Sequence, residues 1–582
     1  MKKGVLGLIL LLAIFFRFNN LNWDSNYHLH PDERFLTMVG GAMKIPQSFS
    51  DYFNPSISTM NPSNIGFDFY VYGLFPVTLN KIVAVIYNND NYNALTIQGR
   101  FLSAFFDIFT LIIVFKTVEL IERRYKLDRS IKYWSAFFYA ISVLPIQLSH
   151  FFAVDTFLTF FMTSSFYFAL RAYFQQERKS IAVSAVLFGL ATASKISAIF
   201  IFPLIMFFVL SVDKTVRSQS FVKNIKNKLI NLSVFFSISY LVLRIADPYI
   251  FKSGNIFDFR ISDVFINNLK ALKSFEGRDV WYPPAIQWIN KKPVIYSLYN
   301  LAVFGVGLPY FGLILVGIIN IVKILTIRTQ LSRARQDIRL TLGVILLWII
   351  GFFLYQSTQF VKAMRYFIFI YPFLAIMAGY GAYNVINLIK SKIQNPKQIS
   401  NLELGLVISN LIIIITVLIW PLSFSSIYLN KHSRVEASEW IYKNLENDSF
   451  ILAEHWDDAL PLSVETNYGK TFQIEYLPVF APDDETKWQT MNNLLQKADY
   501  YILSSNRGWG SIPTAPEKYP KMTQFYKDLL ANNLRYKLVK QFTSYPRLCI
   551  PFSIKCLEFR DDYSDESFTV YDHPKVLIFQ KK

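Results

Sequence analysis

The sequence predicts a polytopic α-helical membrane protein with a C-terminal extracytoplasmic α/β domain, and three observations lead there. Apolar runs of ~20 residues recur along most of the chain, each long enough to cross a hydrocarbon core of ~30 Å. Charged residues make up only 17% of the 582 positions, against roughly 25% in soluble proteins, which excludes an ordinary soluble globule. Past residue 425 the long apolar runs stop, and helix-like and strand-like patterns alternate as in a compact α/β unit.

The first apolar segment, "GVLGLILLLAIFF", follows Met1-Lys2-Lys3. A charged start and an apolar core fit a signal peptide, but the "RFNNLNW" that follows has no small-x-small cleavage site, so an uncleaved helix is expected. Either way "HPDERF" emerges on the outer face. The formal charge of +18 comes from basic clusters at 122–132, 171–180, 213–228, 323–339 and 390–397. In a membrane protein such clusters mark cytoplasmic loops rather than a nucleic-acid surface. Placing all five inside requires an even number of crossings between neighbours. Helices near 4–18, 100–121, 133–149, 151–172, 181–194, 196–212, 229–246, 297–321, 340–356, 364–387 and 404–423 satisfy this. That makes eleven, with a cytoplasmic N-terminus and an extracytoplasmic tail in a plasma (inner) membrane.

Residues 67–88, "FDFYVYGLFPVTLNKIVAVIYN", are apolar but cannot be a twelfth crossing, because that would move the 122–132 cluster outside. With Pro76 and Lys81 inside it, the stretch is expected to be interfacial or re-entrant. The expected domains are 1–425, with a first outer loop at 19–99, and 426–582. Cys549 and Cys556 can form one disulfide if the tail is extracytoplasmic, and the sequence leaves that open. No internal repeat is evident.

This topology gathers ionisable residues on the outer face: Asp32 and Glu33, then His150 and Asp155, then Lys195, then Lys362, Arg365 and Tyr366. The outer loop 247–296 adds Trp281 and Tyr282. Ionisable groups beside hydrocarbon are expensive and tend to mark function. Each also has a plainer reading: Asp32 and Glu33 as helix caps, Asp155 likewise, Lys195 and Arg365 as interfacial snorkellers, Trp281 and Tyr282 as belt aromatics. His150 is better read as a hydrogen-bonded interface residue than as a metal ligand. Too few His, Cys and carboxylate groups assemble for a metal site, so no cofactor is expected beyond a divalent cation.

Together these groups suit sugar transfer from a polyprenyl-phosphate donor. A carboxylate draws off the acceptor proton, and cations take up the charge of the departing lipid phosphate. "HPDERFL", "NPSNIGFDFYVYGLFP", "GRFLSAFFD", "LSHFFAVDTFLTFF" and "ASKISA" resemble, in order and spacing, the bacterial polyprenyl-phosphate-dependent glycosyltransferases of the GT-C superfamily, in the protein O-mannosyltransferase and aminoarabinose transferase group. "KAMRYFIFIYPFLA" resembles that group's late basic motif. The resemblance implies a GT-C-like bundle, Asp32 with adjacent Glu33 as the base, and Asp155 as a second acid. It also implies lipid-phosphate contacts from Lys195 and Arg365, with Arg100 and Lys362 as further candidates. The implied partners are the lipid-linked donor, a lipid, glycan or protein acceptor, and membrane lipids, with no nucleic acid. The lysine-proline-proline element of aminoarabinose transferases is absent, "YVYGLFP" standing there, which weighs against lipid A modification. Rivals are a lipid-linked-sugar flippase or transporter, an assembly factor, and an oligosaccharyltransferase, whose tryptophan-tryptophan-aspartate signature the sequence lacks.

Overall fold

A computed structural model describes residues 2–212, 221–277, 279, 282–326, 333–392, 399–549 and 555–582. Each apolar run expected to be helical contains helix. By length and composition, six helices among the described residues can cross a membrane, Tyr92–Tyr125 and Leu308–Thr326 among them. The others are shorter, broken or less apolar. The expected 133–149 helix is split into Ile131–Ala140 and Val143–Ser149. Two further runs begin as 3-10 turns, Ile196–Ile201 before Phe202–Val209 and Met364–Ile370 before Tyr371–Lys392. Unwinding of this kind inside a bundle leaves backbone and side chains free to serve a polar site.

The basic clusters converge on one end of the bundle. Asp337 accepts hydrogen bonds from Arg124 (3.2 Å), Tyr125 (3.1 Å) and Tyr173, joining three of them. Arg178 reaches Asn227 at 2.9 Å, adding a fourth. The fifth cluster, 390–397, falls mostly outside the described residues.

In the first loop, only Phe75–Ile86 of the 67–88 stretch is helical. Its 12 residues span ~18 Å, well short of a hydrocarbon core. Just before it, Gly73 donates its N–H to the Ser194 carbonyl at 3.1 Å. A Cβ on Gly73 would stand 2.1 Å from the Ala193 carbonyl oxygen. Glycine is therefore what lets this loop lie against the turn that carries Lys195.

The helix Ile399–Ser425 leads into the tail. Seven strands follow among the described residues: β1 Phe450–Glu454, β2 Gln473–Leu477, β3 Tyr500–Leu503, β4 Tyr536–Phe542, β5 Arg547–Cys549, β6 Cys556–Glu558 and β7 Val576–Lys581. Five form a sheet in the order β2-β1-β3-β7-β4, with β1 parallel to β2 and β3, and β7 antiparallel to β3 and β4. Strand side chains alternate between faces, and both faces are covered here. Tyr501, Leu503, Leu577 and Phe579 pack on Met522 and Phe525, while Ile502, Val576 and Ile578 pack on Ala437 and Ile441. β5 and β6 pair separately, and the Cys549–Cys556 disulfide joins them, answering the question the sequence left open.

The tail is tied to the bundle by charge and by insertion. Asp458 takes Arg34 of the first loop at 3.0 Å and Arg434 at 2.9 Å. A short helix, Glu566–Thr569, sends Phe568 into the same apolar core as the bundle helices, where Gln147 donates to its carbonyl at 2.7 Å.

Replacing Gly73 by alanine is expected to push the first loop off the Ser194 turn. A thermal melt of the detergent-purified protein should show a loss of about 1–3 kcal/mol, the usual cost of overpacking.

Candidate active site

The Pro31–Ala42 helix opens the site. His30 caps it, its Nδ1 accepting from the Glu33 N–H at 3.3 Å, and Pro31 occupies the first turn where no N–H is needed. Burial pushes the His30 pKa down to about 4, so the ring is neutral and able to accept. The helix separates Asp32 from Glu33 by about 100° of rotation, and the two neighbours meet different partners.

Glu33 turns inward and is fully buried. Arg100 of the Tyr92–Tyr125 helix lies between Glu33 and Asp24, and all its N–H donors are used. Nε gives to Glu33 at 2.8 Å, Nη1 to the Leu21 carbonyl at 2.7 Å and to Asp24 at 3.0 Å, and Nη2 to Asp24 at 2.8 Å and to Glu33. Glu33 also accepts from the Phe152 N–H at 2.7 Å. Burial raises the Glu33 pKa, and Arg100 offsets that only in part. Arg100 therefore does not reach the cavity as a phosphate ligand, and Glu33 does not reach it as an acid. The reason for both is that the pair is spent on internal packing.

Asp32 turns outward into a cavity of about 580 Å³, within the usual size of ligand sites. There it forms an ion pair with Arg365, and Tyr72 lines the cavity beside it. Burial alone would raise the Asp32 carboxyl; the Arg365 guanidinium overrides this and holds it below the usual carboxylate range. Lys195 lines the same cavity, at the unwound junction after the Arg178–Ser194 helix. Its ammonium meets Asp155 at 2.9 Å and sits 5.4 Å from the centre of the Tyr366 ring, over which Arg365 also lies at 5.7 Å. Arg365 gives one hydrogen bond to Asp32, and the rest of its guanidinium has no hydrogen-bond partner among the described residues.

Of the residues singled out from the sequence, Asp32, Lys195, Arg365, Tyr366 and Tyr282 share this cavity. Asp155 stands behind Lys195, buried and outside the lining. Lys362 is buried and gives its ammonium to the Phe360 carbonyl at 3.0 Å, so it too is absent from the wall. His150 is fully buried, stacked on Tyr428 at 3.7 Å and bonded to the carbonyls of Ile146 and Asn19, far too enclosed to meet substrate. Trp281 lies outside the described residues. No three His, Cys, Asp or Glu side chains among the described residues cluster to hold a metal ion.

The sequence reading missed Tyr72, although it lies inside the quoted "YVYGLFP", and missed the tail residues Glu566, Ser567 and Tyr571, which close the far wall. A buried cluster holds that wall in place. His573 lies between Asp572 (2.5 Å) and Asp561 (2.9 Å), and Asp572 also accepts from Tyr428 at 2.8 Å and Gln147 at 3.0 Å. Burial opposes charge on His573, but the two carboxylates raise its pKa to about 10.

A family model described as dolichyl-phosphate-mannose-protein mannosyltransferase matches residues 93–240. No curated protein matches the chain. Among solved structures, the oligosaccharyltransferase AglB from Archaeoglobus fulgidus, in complex with an inhibitory peptide and a dolichol-phosphate, superposes with a TM-score of 0.51 at 14% identity, over 90% of this chain and 72% of that one. The same organism's enzyme tethered to an acceptor peptide gives 0.52 at 13% identity, over 99% and 88%. ArnT from Cupriavidus metallidurans, bound to undecaprenyl phosphate, gives 0.43 at 13% identity, over 99% and 98%. Bundle and tail together carry the fold of the Archaeoglobus fulgidus enzyme, a fold of the GT-C class, and the family match falls inside the bundle. Within that class, the stretch matching the mannosyltransferase family runs from the Arg100 helix through the Lys195 turn.

Two outcomes are expected. Arg100→Ala leaves two buried carboxylates uncompensated and should cost about 3–5 kcal/mol, read as loss of monodisperse protein on size exclusion. His573 binds its proton more tightly folded (about 10) than unfolded (6.5), so its contribution is complete below pH 6.5 and disappears as pH climbs towards 10. Melting temperature should fall across that window in the wild type and less steeply in His573→Asn.

Proposed function

We infer that the protein transfers a sugar from a polyprenyl-phosphate donor to an acceptor hydroxyl at the outer face of the plasma membrane, with inversion at the anomeric carbon. The observation that carries the reading is that Asp32, Lys195 and Arg365, from three separate parts of the chain, line one cavity at an end of the bundle away from the Asp337 cluster. A positively charged pair beside a carboxylate is what phosphate departure and proton removal require of the same small volume.

Arg365 is the residue poised for phosphate, because its unused donors can take a lipid phosphate while Lys195 approaches from the Tyr366 side. A phosphate seated there competes with Asp32 for the guanidinium. Freed from part of that attraction, the carboxylate becomes a better proton acceptor only once donor is bound. The acceptor oxygen then bonds to the anomeric carbon, its proton passes to Asp32, and the bond from that carbon to the phosphate oxygen breaks. The charge left on the lipid phosphate stays with Arg365 and Lys195. Asp155 is a positioning residue, holding the Lys195 ammonium at the wall. Tyr282, stacked on Phe275 at 4.9 Å, and Trp288 supply apolar faces on which a sugar ring can lie.

With a labelled polyprenyl-phosphate sugar, Asp32→Asn should leave the protein folded and reduce transfer by ~10²–10⁴-fold, the usual contribution of a general base. Its binding of polyprenyl phosphate should persist, because Arg365 keeps its charge. Arg365→Ala should lose that binding. Near-normal transfer by Asp32→Asn would refute the assignment.

A further inference from the structure

A second polar pocket of about 280 Å³ adjoins the cavity, and Tyr72 lines both. Its size is near the lower end of ligand sites, roughly 300 Å³. Asp247, directly after the Phe221–Ala246 helix, is 5% exposed and lines it. One carboxylate oxygen accepts the Leu74 N–H at 3.0 Å; the other has no hydrogen-bond partner among the described residues. No lysine, arginine or histidine lines the pocket, and Asp247 forms no ion pair among the described residues. A buried carboxylate in that position is costly unless something else satisfies it.

The surrounding polar groups indicate what the missing partner carries. The large donors are already committed. Asn64 gives its amide N–H to the Pro55 and Ser58 carbonyls at 2.9 and 3.0 Å, Asn268 to those of Asp68 and Tyr70 at 2.8 and 3.2 Å, and the Tyr70 hydroxyl to Gly73 at 3.1 Å. The side-chain oxygens of Asn64 and Asn268 have no such partner among the described residues, and neither does the second Asp247 oxygen. The Ser56, Ser63 and Ser262 hydroxyls also line the pocket and have no hydrogen-bond partner among the described residues, so it offers acceptors together with small donors and suits a ligand rich in hydroxyl groups. Without a cation it rejects phosphate, sulfate and uronate groups. Tyrosine rings on its wall offer flat apolar faces.

We propose that this pocket binds a sugar residue of the acceptor, one bearing hydroxyl or amino groups and no negative charge, while a neighbouring hydroxyl passes Tyr72 to reach Asp32. This rests on the reading of the Asp32 cavity as the transfer site, and it names the acceptor class as a saccharide rather than a bare protein or lipid hydroxyl. Burial lifts the Asp247 pKa to about 7, so near neutrality the carboxyl can donate as well as accept, which suits hydroxyl ligands. The competing account makes Asp247 only a tie to Leu74 ahead of the Phe75 helix, and that account uses one oxygen.

The test uses saturation-transfer NMR on the full detergent-purified chain with methyl mannoside, methyl galactoside, methyl glucosaminide and methyl glucuronide as probes. Two variants discriminate. Asp247→Asn keeps an acceptor for the Leu74 amide. Ser262→Phe fills the pocket from a residue whose side chain makes no capping bond. At least one non-acidic glycoside should bind the wild type, about tenfold or more weakly in Asp247→Asn, as expected for a hydrogen bond to a charged group, and not at all in Ser262→Phe. The glucuronide should give no signal. Silence from every non-acidic glycoside, or binding that survives Ser262→Phe, overturns the proposal. Polyprenyl-phosphate binding on the same preparations reports on Arg365 and Lys195 and not on this pocket: its absence from the wild type overturns the transfer reading instead.

Discussion

Inside the bundle the Arg100 guanidinium is enclosed by Asp24 and Glu33, with the Trp23 ring 4.7 Å away. Taking such ions out of water costs several kcal/mol each unless geometry and hydrogen bonding are matched, and here each guanidinium N–H has an acceptor. The arrangement joins the first loop to the Tyr92 helix and, through the Phe152 N–H, to the turn before the Asp155 helix. With Glu33 held inward, its neighbour has to project from another face of the same turn. The cavity acid is thus placed by a cluster that never touches the cavity.

The two arginines separate by how their donors are spent. Arg100 is saturated, so it is part of the scaffold. Arg365 has one carboxylate and open valence, so it is available to a ligand. Charge alone does not make that distinction; the count of unmet hydrogen bonds does. The same reasoning applied to acceptors picks out Asp247, whose second oxygen is to the pocket what the open guanidinium is to the cavity.

Much of this organisation was legible in the amino-acid order. Apolar run length locates the helices, and the short apolar run "YYIL", ending in a polar turn, locates one central strand. Asp32, Lys195 and Arg365 stand out because ionisable groups beside long apolar runs are rare. The division of labour between Asp32 and Glu33 was not legible, because it depends on Arg100, which is remote in sequence. Lys362 and His150 share the chemistry of site residues, and only packing shows that each is satisfied elsewhere. Glu566, Ser567 and Tyr571 were invisible for a different reason. They lie in a tail whose local pattern reads as a separate unit, and nothing in that pattern says it enters the bundle.

That entry has a consequence for how the chamber comes into being. Asp32 is translated long before Tyr571, yet the two stand in the same wall-lined cavity. Until that far segment has been translated and seated beside Gln147, the chamber lacks one of its walls. A chain that stops short of that segment therefore has no closed chamber, and closure is tied to the order of synthesis alone.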